Sequence, residues 1–433
     1  MNDSLFAADY KSEPYWWEAV HRPASPSIAL PAKCDVAIVG SGYTGLAAAI
    51  ELARGGRQVV LLDAEDAGWG CSTRNGGQVS TSIKPCFATL AARHGEAIAF
   101  RIRREGLNAL EWVEDFITRE RIDCNFFKAG RFHAAHNAAA YNILARQAAN
   151  QPEGLEVEVH VVPRAEQRSE VASDLYYGGL IYPAHASLHP GKFHRGLLER
   201  AQEAGAAVIT RCPVTAIERD SSGFRLRALR GVTHAREVIV ATNGYTTGLT
   251  PWLHRRVIPV GSYIIATEPL AAGLAKRLIP NNRVVSDTRK VVCYFRLSED
   301  GQRVLFGGRV AAREADSAVS APPLHRQMTQ VFPELAATKI SHSWGGFIAY
   351  TFDALPHLGR HTDGIHYCMG YCGSGVSLAP YFGTRLAQQL LANPEGRTAL
   401  DGLTFQTRPF YSGDPWFLPA AIAYYRVRDR LHL

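Results

Sequence analysis

Three closely spaced glycines near the start of the chain form its clearest chemical motif. Gly40, Gly42 and Gly45 follow the pattern G-x-G-x-x-G directly after a short apolar run. This spacing permits a tight turn, lets backbone N–H groups reach a pyrophosphate and seats the next helix closely on a strand. Asp63 stands about twenty residues further on, where an acid accepts hydrogen bonds from ribose hydroxyls and disfavours a 2′-phosphate. The pattern predicts an adenine dinucleotide site, although glycines that only turn the chain would look the same in isolation.

Two further segments hold too many small residues to pack as ordinary strands or helices. Residues 68–80 read GWGCSTRNGGQVS, and residues 370–376 read GYCGSGV just before a helical pattern. Backbone of this kind can approach a flat ligand closely, and a helix N-terminus stabilises the negative charge of a reduced flavin. Together the two segments favour FAD over NAD, while a plain turn before a buried helix is the alternative for the second.

These motifs need a scaffold that brings them together. An apolar run, a helical pattern and a second apolar run fill residues 34–63, which predicts strand, helix and strand. The buried run REVIVAT at residues 236–242 and the segment after residue 365 predict two returns to the same layer. We therefore predict an α/β fold, in which a Rossmann-type, three-layer FAD-binding domain is interleaved with an antiparallel-sheet substrate domain.

The domain boundaries are predicted from the same returns. Residues 1–33 carry aromatic residues and prolines without any period, which indicates an arm laid over the body. A long amphipathic helix is predicted over residues 99–120, and β-rich segments with turns lie between residues 258 and 342. The expected domains are residues 34–90, 182–255 and 342–433 for FAD binding, and residues 91–181 and 256–341 for the helical segment and substrate sheet.

Composition excludes several classes of protein. The chain has 433 residues, 46% hydrophobic and 20% charged, which is the balance of a globular enzyme. The formal net charge of +7 comes from scattered Lys and Arg, so no nucleic-acid partner is expected. No membrane span or targeting segment is visible, and a cytoplasmic location is expected. The 8 cysteines include no C-x-x-C pair, so neither a disulfide framework nor a metal site is predicted.

Taken together, the motifs resemble the D-amino-acid oxidase superfamily of flavoproteins, and most closely its gamma-glutamylputrescine oxidases. The resemblance spans most of the chain and is carried by CDVAIVGSGYTGLAAAIELA, GWGCSTRNGGQ, ASLHPGKFHRGL, VIVATNGYT and GYCGSGVSLAPYFG. It implies that the R-N-G-G-Q run crosses the flavin ring and that the backbone of Val214 meets the adenine. Ile348 stands where sarcosine oxidases carry the cysteine that attaches their flavin, so noncovalent FAD is expected.

The motifs and the resemblance together imply one set of cofactor-binding residues. Its members come from the first glycine motif, the two later glycine-rich segments and the A-T-N-G run, which is expected near the pyrophosphate. They are Gly40, Gly42, Tyr43, Thr44, Gly45, Asp63, Ala64, Gly70, Cys71, Ser72, Arg74, Asn75, Gly76, Gly77, Gln78, Val214, Ala241, Thr242, Asn243, Gly244, Tyr371, Gly373, Ser374, Gly375, Val376 and Ser377.

The substrate is expected to be an amine rather than a simple α-amino acid. Gly77 and Ser377 fall where sarcosine oxidases hold the substrate carboxylate with a basic pair, and neither can pair with an anion. A gamma-glutamyl polyamine or a related amine does not need this basic pair. Alternatively, Arg296 or Arg309 could bind a substrate carboxylate from another direction. The residues expected to line the reaction site are Tyr263, Tyr294, Arg309, Trp344 and Tyr350, each of which also suits a purely structural place.

Several functions are compatible with the sequence. The expected reaction passes a hydride from the carbon beside nitrogen to flavin N5, after which water hydrolyses the imine. Oxygen or an electron carrier then reoxidises the flavin, which separates an oxidase from a dehydrogenase. A flavin-binding accessory subunit without turnover and a nicotinamide dehydrogenase are the alternatives. Because the chain lacks a second G-x-G-x-x-G, the substrate itself is expected to reduce the flavin.

Overall fold

The strands of the protein belong mainly to two large sheets. The structure, a computed structural model, describes residues 5–20, 28–308 and 316–431. The strands are β1 Phe6–Lys11, β2 Lys33–Val39, β3 Val59–Leu62, β4 Gln78–Val79, β5 Arg131–Ala134, β6 His160–Val162, β7 Gly179–Tyr182, β8 Ala186–Ser187, β9 Ala207–Ile209, β10 Val214–Asp220, β11 Gly223–Ala228, β12 Gly231–Val240, β13 Ile258–Thr267, β14 Val284–Asp287, β15 Tyr294–Leu297, β16 Val304–Gly308, β17 Ile340–Tyr350, β18 His357–Arg360 and β19 His366–Met369.

Ten α-helices are distributed among these strands within the described residues. They are α1 Tyr43–Arg54, α2 Phe87–His94, α3 Glu96–Arg119, α4 Ala138–Ala149, α5 Pro190–Glu203, α6 Pro251–His254, α7 Leu274–Leu278, α8 Ser317–Val331, α9 Gly375–Leu390 and α10 Leu418–Leu431. Helix α3 is the long amphipathic helix that the sequence predicts. No helix of the described part of the chain is long and apolar enough to cross a bilayer.

The first sheet carries the nucleotide-binding strands. Its strands follow the order β10-β11-β12-β2-β3-β9, and β19 joins β12 to β18. Strands β2, β3 and β9 run parallel because crossover helices α1 and α5 precede β3 and β9. Val36 and Ile38 face helices α1, α5 and α9, while Ala37 and Val39 pack on the opposite face. The predicted strand–helix–strand unit and its α/β architecture are confirmed.

The second sheet has nine strands within the described residues, in the order β1-β17-β13-β16-β15-β14-β5-β7-β6. Most neighbours are antiparallel, but the pairs β1·β17 and β14·β5 are parallel, so the sheet is mixed. Helix α8 covers one face, where Ile265, Phe306 and Leu324 pack together. The boundary predicted at residue 342 falls inside β17, which belongs to this sheet and not to the first.

Candidate functional site

The first glycine motif forms a cradle that side chains would block. Gly40 has a φ of +106°, and an ideal Cβ at Gly45 would stand 2.0 Å from the Gly40 carbonyl oxygen. At Gly42 a Cβ would stand 2.9 Å from the Ser72 Oγ atom. Strand β2, helix α1 and the 68–80 segment therefore approach one another through bare backbone. The geometry fits the close approach that a pyrophosphate needs.

Two long helices begin at this groove, and neither has an N-cap residue whose side chain caps the helix. Gly42 precedes α1, where the Tyr43 N–H donates to the Ser72 hydroxyl at 3.0 Å. Ser374 precedes α9 without capping it. The Thr44 hydroxyl and the Tyr371 hydroxyl lie 2.6 Å apart, which ties the two helix starts together. N-termini without an N-cap side chain leave backbone N–H groups and partial positive charge available to an anionic group. The two ends are therefore suited to the pyrophosphate and to a reduced flavin.

Asp63 lies at the end of β3, beside this cradle. Its Oδ2 atom accepts hydrogen bonds from the Ser41 N–H at 2.7 Å and from the Ser41 hydroxyl at 2.6 Å. The Cys212 N–H donates to the Asp63 carbonyl oxygen at 2.8 Å, so the segment leading to Val214 runs alongside. The acid and the strand start implied for ribose and adenine therefore lie at the same end of the groove.

The side chain of Asn75 holds the R-N-G-G-Q segment in a fixed conformation. The Asn75 side chain donates to the carbonyl oxygens of Cys71 and Ser72 at 3.0 and 2.9 Å and accepts the Gly77 N–H at 2.8 Å. The Nε2 atom of Gln78 is buried and has no hydrogen-bond partner. A buried donor without a partner is costly unless a ligand supplies an acceptor. The carbonyl and nitrogen acceptors of a flavin ring would meet this need.

A side-chain hydrogen bond joins the A-T-N-G run to the third return of the chain. The Asn243 side-chain oxygen accepts the Gly370 N–H at 2.9 Å, which joins the A-T-N-G run to the turn before α9. In that turn, Gly373 has a φ of +92°. Burial raises the pKa of the neighbouring Cys372 thiol to about 11, so it is a neutral thiol rather than a reactive thiolate.

The N-terminal arm supports the R-N-G-G-Q segment, a role that the sequence did not reveal. Trp16 is fully buried, and its indole N–H donates to the Asn75 carbonyl oxygen at 2.8 Å. The Trp17 indole N–H donates to the Thr73 hydroxyl at 2.8 Å. The Arg74 guanidinium lies 4.9 Å from the Trp17 ring and 4.8 Å from the Trp69 ring. Tryptophans in an aperiodic arm were the available signal, but they do not identify their partner.

Replacing Trp16 tests this support. We expect Trp16→Ala to lower the free energy of unfolding by about 3–5 kcal/mol, because a fully buried indole leaves a cavity and an unpaired carbonyl. The FAD content of the purified protein should fall with it. Trp416→Ala serves as the control because Trp416 is 64% exposed. Equal thermal stability and FAD content in the two variants would show that the arm does not hold the segment.

The residues predicted to line the reaction site divide between two faces of the second sheet. Tyr294 and Trp344 lie on the face toward the R-N-G-G-Q segment, where the Trp344 indole N–H donates to the Arg74 carbonyl oxygen at 2.9 Å. The Tyr350 hydroxyl lies 3.9 Å from an ideal Cβ at Gly373. The structure corrects the prediction for Tyr263. Its ring lies on the opposite face of the second sheet, in the core beneath α8, because side chains alternate along β13.

The two arginines considered as clamps have different outcomes. Arg309 lies outside the described residues. Arg296 is buried and donates to the carbonyl oxygens of Leu188 and Leu297 at 2.8 and 3.1 Å. Burial lowers the pKa of its guanidinium to about 10. The Arg296 Nη1 atom stands 2.8 Å from an ideal Cβ at Gly77. Arg296 therefore packs against the R-N-G-G-Q segment.

The sequence analysis missed two histidines and one arginine on the face of the second sheet that carries Tyr294 and Trp344. Arg131 and His133 point to this face from β5, and His185 lies just before β8. The only available signal is the alternation R-F-H-A, which places polar residues on one side of a short strand whose other side is buried. In the sequence that alternation also suits a strand with one solvated side. Only the pairing of β5 with β7 and β14 shows that it faces the interior.

Comparison with known proteins gives three concordant results. The family model DAO, described as FAD dependent oxidoreductase, matches residues 35–389. The chain is 33% identical over 404 residues to the gamma-glutamylputrescine oxidoreductase of Escherichia coli (strain K12), covering 92% of this chain and 93% of that protein. It is also 33% identical to the probable oxidoreductase OrdL of Rhizobium meliloti (strain 1021), over 96% of this chain and 97% of that protein.

Solved structures agree on the fold. The crystal structure of glycine oxidase from Geobacillus kaustophilus superposes with a TM-score of 0.73 at 21% identity, covering 88% of this chain and 99% of that one. L-proline dehydrogenase from P. horikoshii superposes with a TM-score of 0.70 at 18% identity, covering 90% of this chain and 99% of that one. At these identities the likeness concerns the arrangement of the two sheets.

Proposed function

Because this chain belongs to the DAO family of FAD-dependent oxidoreductases, we propose that it oxidises the carbon–nitrogen bond of a small amine. The name of the Escherichia coli relative makes a gamma-glutamyl polyamine the first candidate substrate. One structural observation carries the proposal. Two helix starts without an N-cap side chain and the unpartnered Gln78 donor adjoin the glycine cradle, and Trp344 of the second sheet contacts the segment that carries Gln78.

The residues of the first sheet would hold FAD along this groove. The N–H groups at the starts of α1 and α9 would face its anionic parts, Asp63 its ribose, and Gln78 its ring. When bound, FAD supplies the two-electron acceptor for a hydride from the carbon beside nitrogen. We expect noncovalent binding, because Ile348 cannot bond to the ring and Cys372 carries a buried, neutral thiol.

The second sheet would bind and orient the amine. The hydroxyls of Tyr294 and Ser262 lie 2.9 Å apart and form a fixed polar pair on the face toward the groove. Burial, helped by the charges of Arg131 and Lys84, lowers the pKa of His133 to about 3, so its ring is neutral at working pH. Its Nδ1–H donates to the Ser286 carbonyl oxygen at 3.2 Å, which leaves Nε2 as an acceptor for a substrate N–H.

An amine fits this face better than a simple α-amino acid. Ser377 donates to the Ser80 carbonyl oxygen at 2.8 Å, and Gly77 has no side chain, so neither position clamps a carboxylate beside the reacting carbon. Oxidation of the amine leaves an imine, which water hydrolyses to a carbonyl compound and an amine or ammonia. Reoxidation by oxygen would make the protein an oxidase.

Oxygen consumption tests the proposal. The holoenzyme in air is mixed in turn with gamma-glutamylputrescine, putrescine, N-methyl amino acids and D-amino acids. We expect at least one amine to consume oxygen and to yield hydrogen peroxide and a carbonyl product in equal amounts. The same panel is repeated with an artificial electron acceptor, which separates a dehydrogenase from an oxidase. Absence of turnover with every amine under both conditions would contradict the proposal.

A further inference from the structure

A cluster of basic side chains lies on the inner face of the second sheet. Arg131 and His133 alternate along β5 and therefore share that face with Tyr182, the cross-strand partner of Arg131. The Arg131 guanidinium carbon lies 4.9 Å from the Tyr182 ring centre, and the His185 ring stacks on Tyr182 at 4.9 Å. We call Arg131, His133 and His185 the basic cluster.

Two hydrogen-bond donors in the basic cluster are buried without a partner. The Nε–H of Arg131 is one of them. The other belongs to His185, whose Nε2 atom lies 3.4 Å from the Thr81 backbone N–H. Because an amide N–H can only donate, Nε2 must accept, and the ring proton resides on Nδ1. That Nδ1 atom is buried and unpartnered. Both donors therefore require an acceptor atom from a ligand.

The basic cluster has positive charge but no counter-charge. Arg131 makes no ion pair with any residue that the structure describes, and burial lowers the pKa of its guanidinium. Burial and the adjacent Arg131 charge lower the pKa of His185 to about 2. A buried guanidinium without an anion is unfavourable unless a ligand brings one.

A short chain of hydrogen bonds connects the basic cluster to the FAD groove. The Ser377 hydroxyl in the first turn of α9 donates to the Ser80 carbonyl oxygen at 2.8 Å. The Ser80 and Ser82 hydroxyls lie 3.1 Å apart. The Arg131 Nη1 atom donates to the Ser82 hydroxyl at 3.4 Å. The basic cluster therefore adjoins the same end of the groove as Gln78 and α9.

We propose that Arg131 and His185 bind a carboxylate of the substrate, which makes the substrate an amine that also carries a carboxylate. A carboxylate supplies the two acceptors that the Arg131 Nε–H and the His185 Nδ1–H require, together with the missing negative charge. This inference rests on the proposed function, because it names a feature of the same substrate. It assigns the anion to β5 and the β7–β8 turn, and not to Arg296, whose donors face backbone carbonyls.

Binding of a carboxylate that cannot react tests the proposal. Isothermal titration of the FAD-loaded protein compares glutarate with its neutral diamide, glutaramide. We expect wild-type protein to bind glutarate at least about 10-fold more tightly, and Arg131→Met to lose about 10- to 100-fold in glutarate affinity. Arg131→Lys should fall between them, since it keeps the charge but not the fork of donors. Arg101→Met, which changes an exposed arginine of α3, should bind like wild type.

The outcomes separate this proposal from the proposed function. Equal glutarate affinity in wild type, Arg131→Met and Arg131→Lys, each with full FAD content, would overturn the carboxylate site. Turnover of amines without any glutarate binding would also overturn it while leaving the proposed function standing. Glutarate binding that depends on Arg131, in a protein that no amine reduces, would support the carboxylate site and contradict the proposed function.

Discussion

Gly45→Val should yield a protein that contains no FAD. A Cβ at this position would stand 2.0 Å from the Gly40 carbonyl oxygen and 3.3 Å from the Ile38 side chain. Helix α1 would have to move away from β2, and its first N–H groups would then leave the position from which they reach a pyrophosphate. Gly45→Ala should show the same effect, because the clash already arises at Cβ.

The measurement is the ratio of FAD to protein after purification and after reconstitution with added FAD. Gly248→Val is the matched control, since an ideal Cβ at Gly248 meets nothing within 4 Å. It should keep the FAD content of wild type. A soluble Gly45→Val protein with one tightly bound FAD would show that the cradle is not the cofactor site.

Gly77→Ala should cause the second largest loss. Gly77 has a φ of +68°, and a Cβ there would stand 2.1 Å from the Leu188 carbonyl oxygen and 2.8 Å from the Arg296 Nη1 atom. The left-handed conformation alone costs an alanine about 1–2 kcal/mol, and the clash with backbone adds to it. We expect the R-N-G-G-Q segment to shift and the dissociation constant for FAD to rise at least about 10-fold, the change that 1.4 kcal/mol produces.

A second glycine variant separates the effect of the steric clash on FAD affinity from the effect of the backbone strain. Gly56 has a φ of +80°, but an ideal Cβ there meets nothing within 4 Å. Gly56→Ala should therefore lose stability by about 1–2 kcal/mol and keep its affinity for FAD. Fluorescence titration of the apoproteins with FAD measures the difference. If the two variants lose equal affinity, the contact between Gly77 and Leu188 does not shape the groove.

Most of the first sheet could be predicted because its signals are local. The G-x-G-x-x-G motif, the apolar runs around it and Asp63 lie within one strand–helix–strand unit, so spacing along the chain fixes their placement. The α/β class followed from these residues, whereas the family followed from a resemblance that spans most of the chain. Asp63 accepts hydrogen bonds from Ser41, a contact that the spacing did not predict because it depends on the conformation of the turn.

The second sheet was harder to predict because its faces depend on distant pairings. Tyr263 and Trp344 look equivalent as aromatic residues on strands, but β13 and β17 pair so that Ile264 opposes Trp344. This register puts Tyr263 on the other face. Arg131 and His133 were missed for the same reason, because a short polar alternation does not show which partner strand covers it. The contact of Trp16 with residue 75 likewise joins segments far apart in sequence.

Anaerobic reduction of the bound flavin tests whether this protein oxidises an amine. The oxygen-free holoenzyme is mixed with gamma-glutamylputrescine, and the visible absorbance of the flavin is followed, with NADPH alone as the parallel sample. We expect the amine to bleach the flavin and NADPH to leave its absorbance unchanged. Bleaching by NADPH alone, or a preparation that is colourless and cannot be reconstituted with FAD, would contradict it.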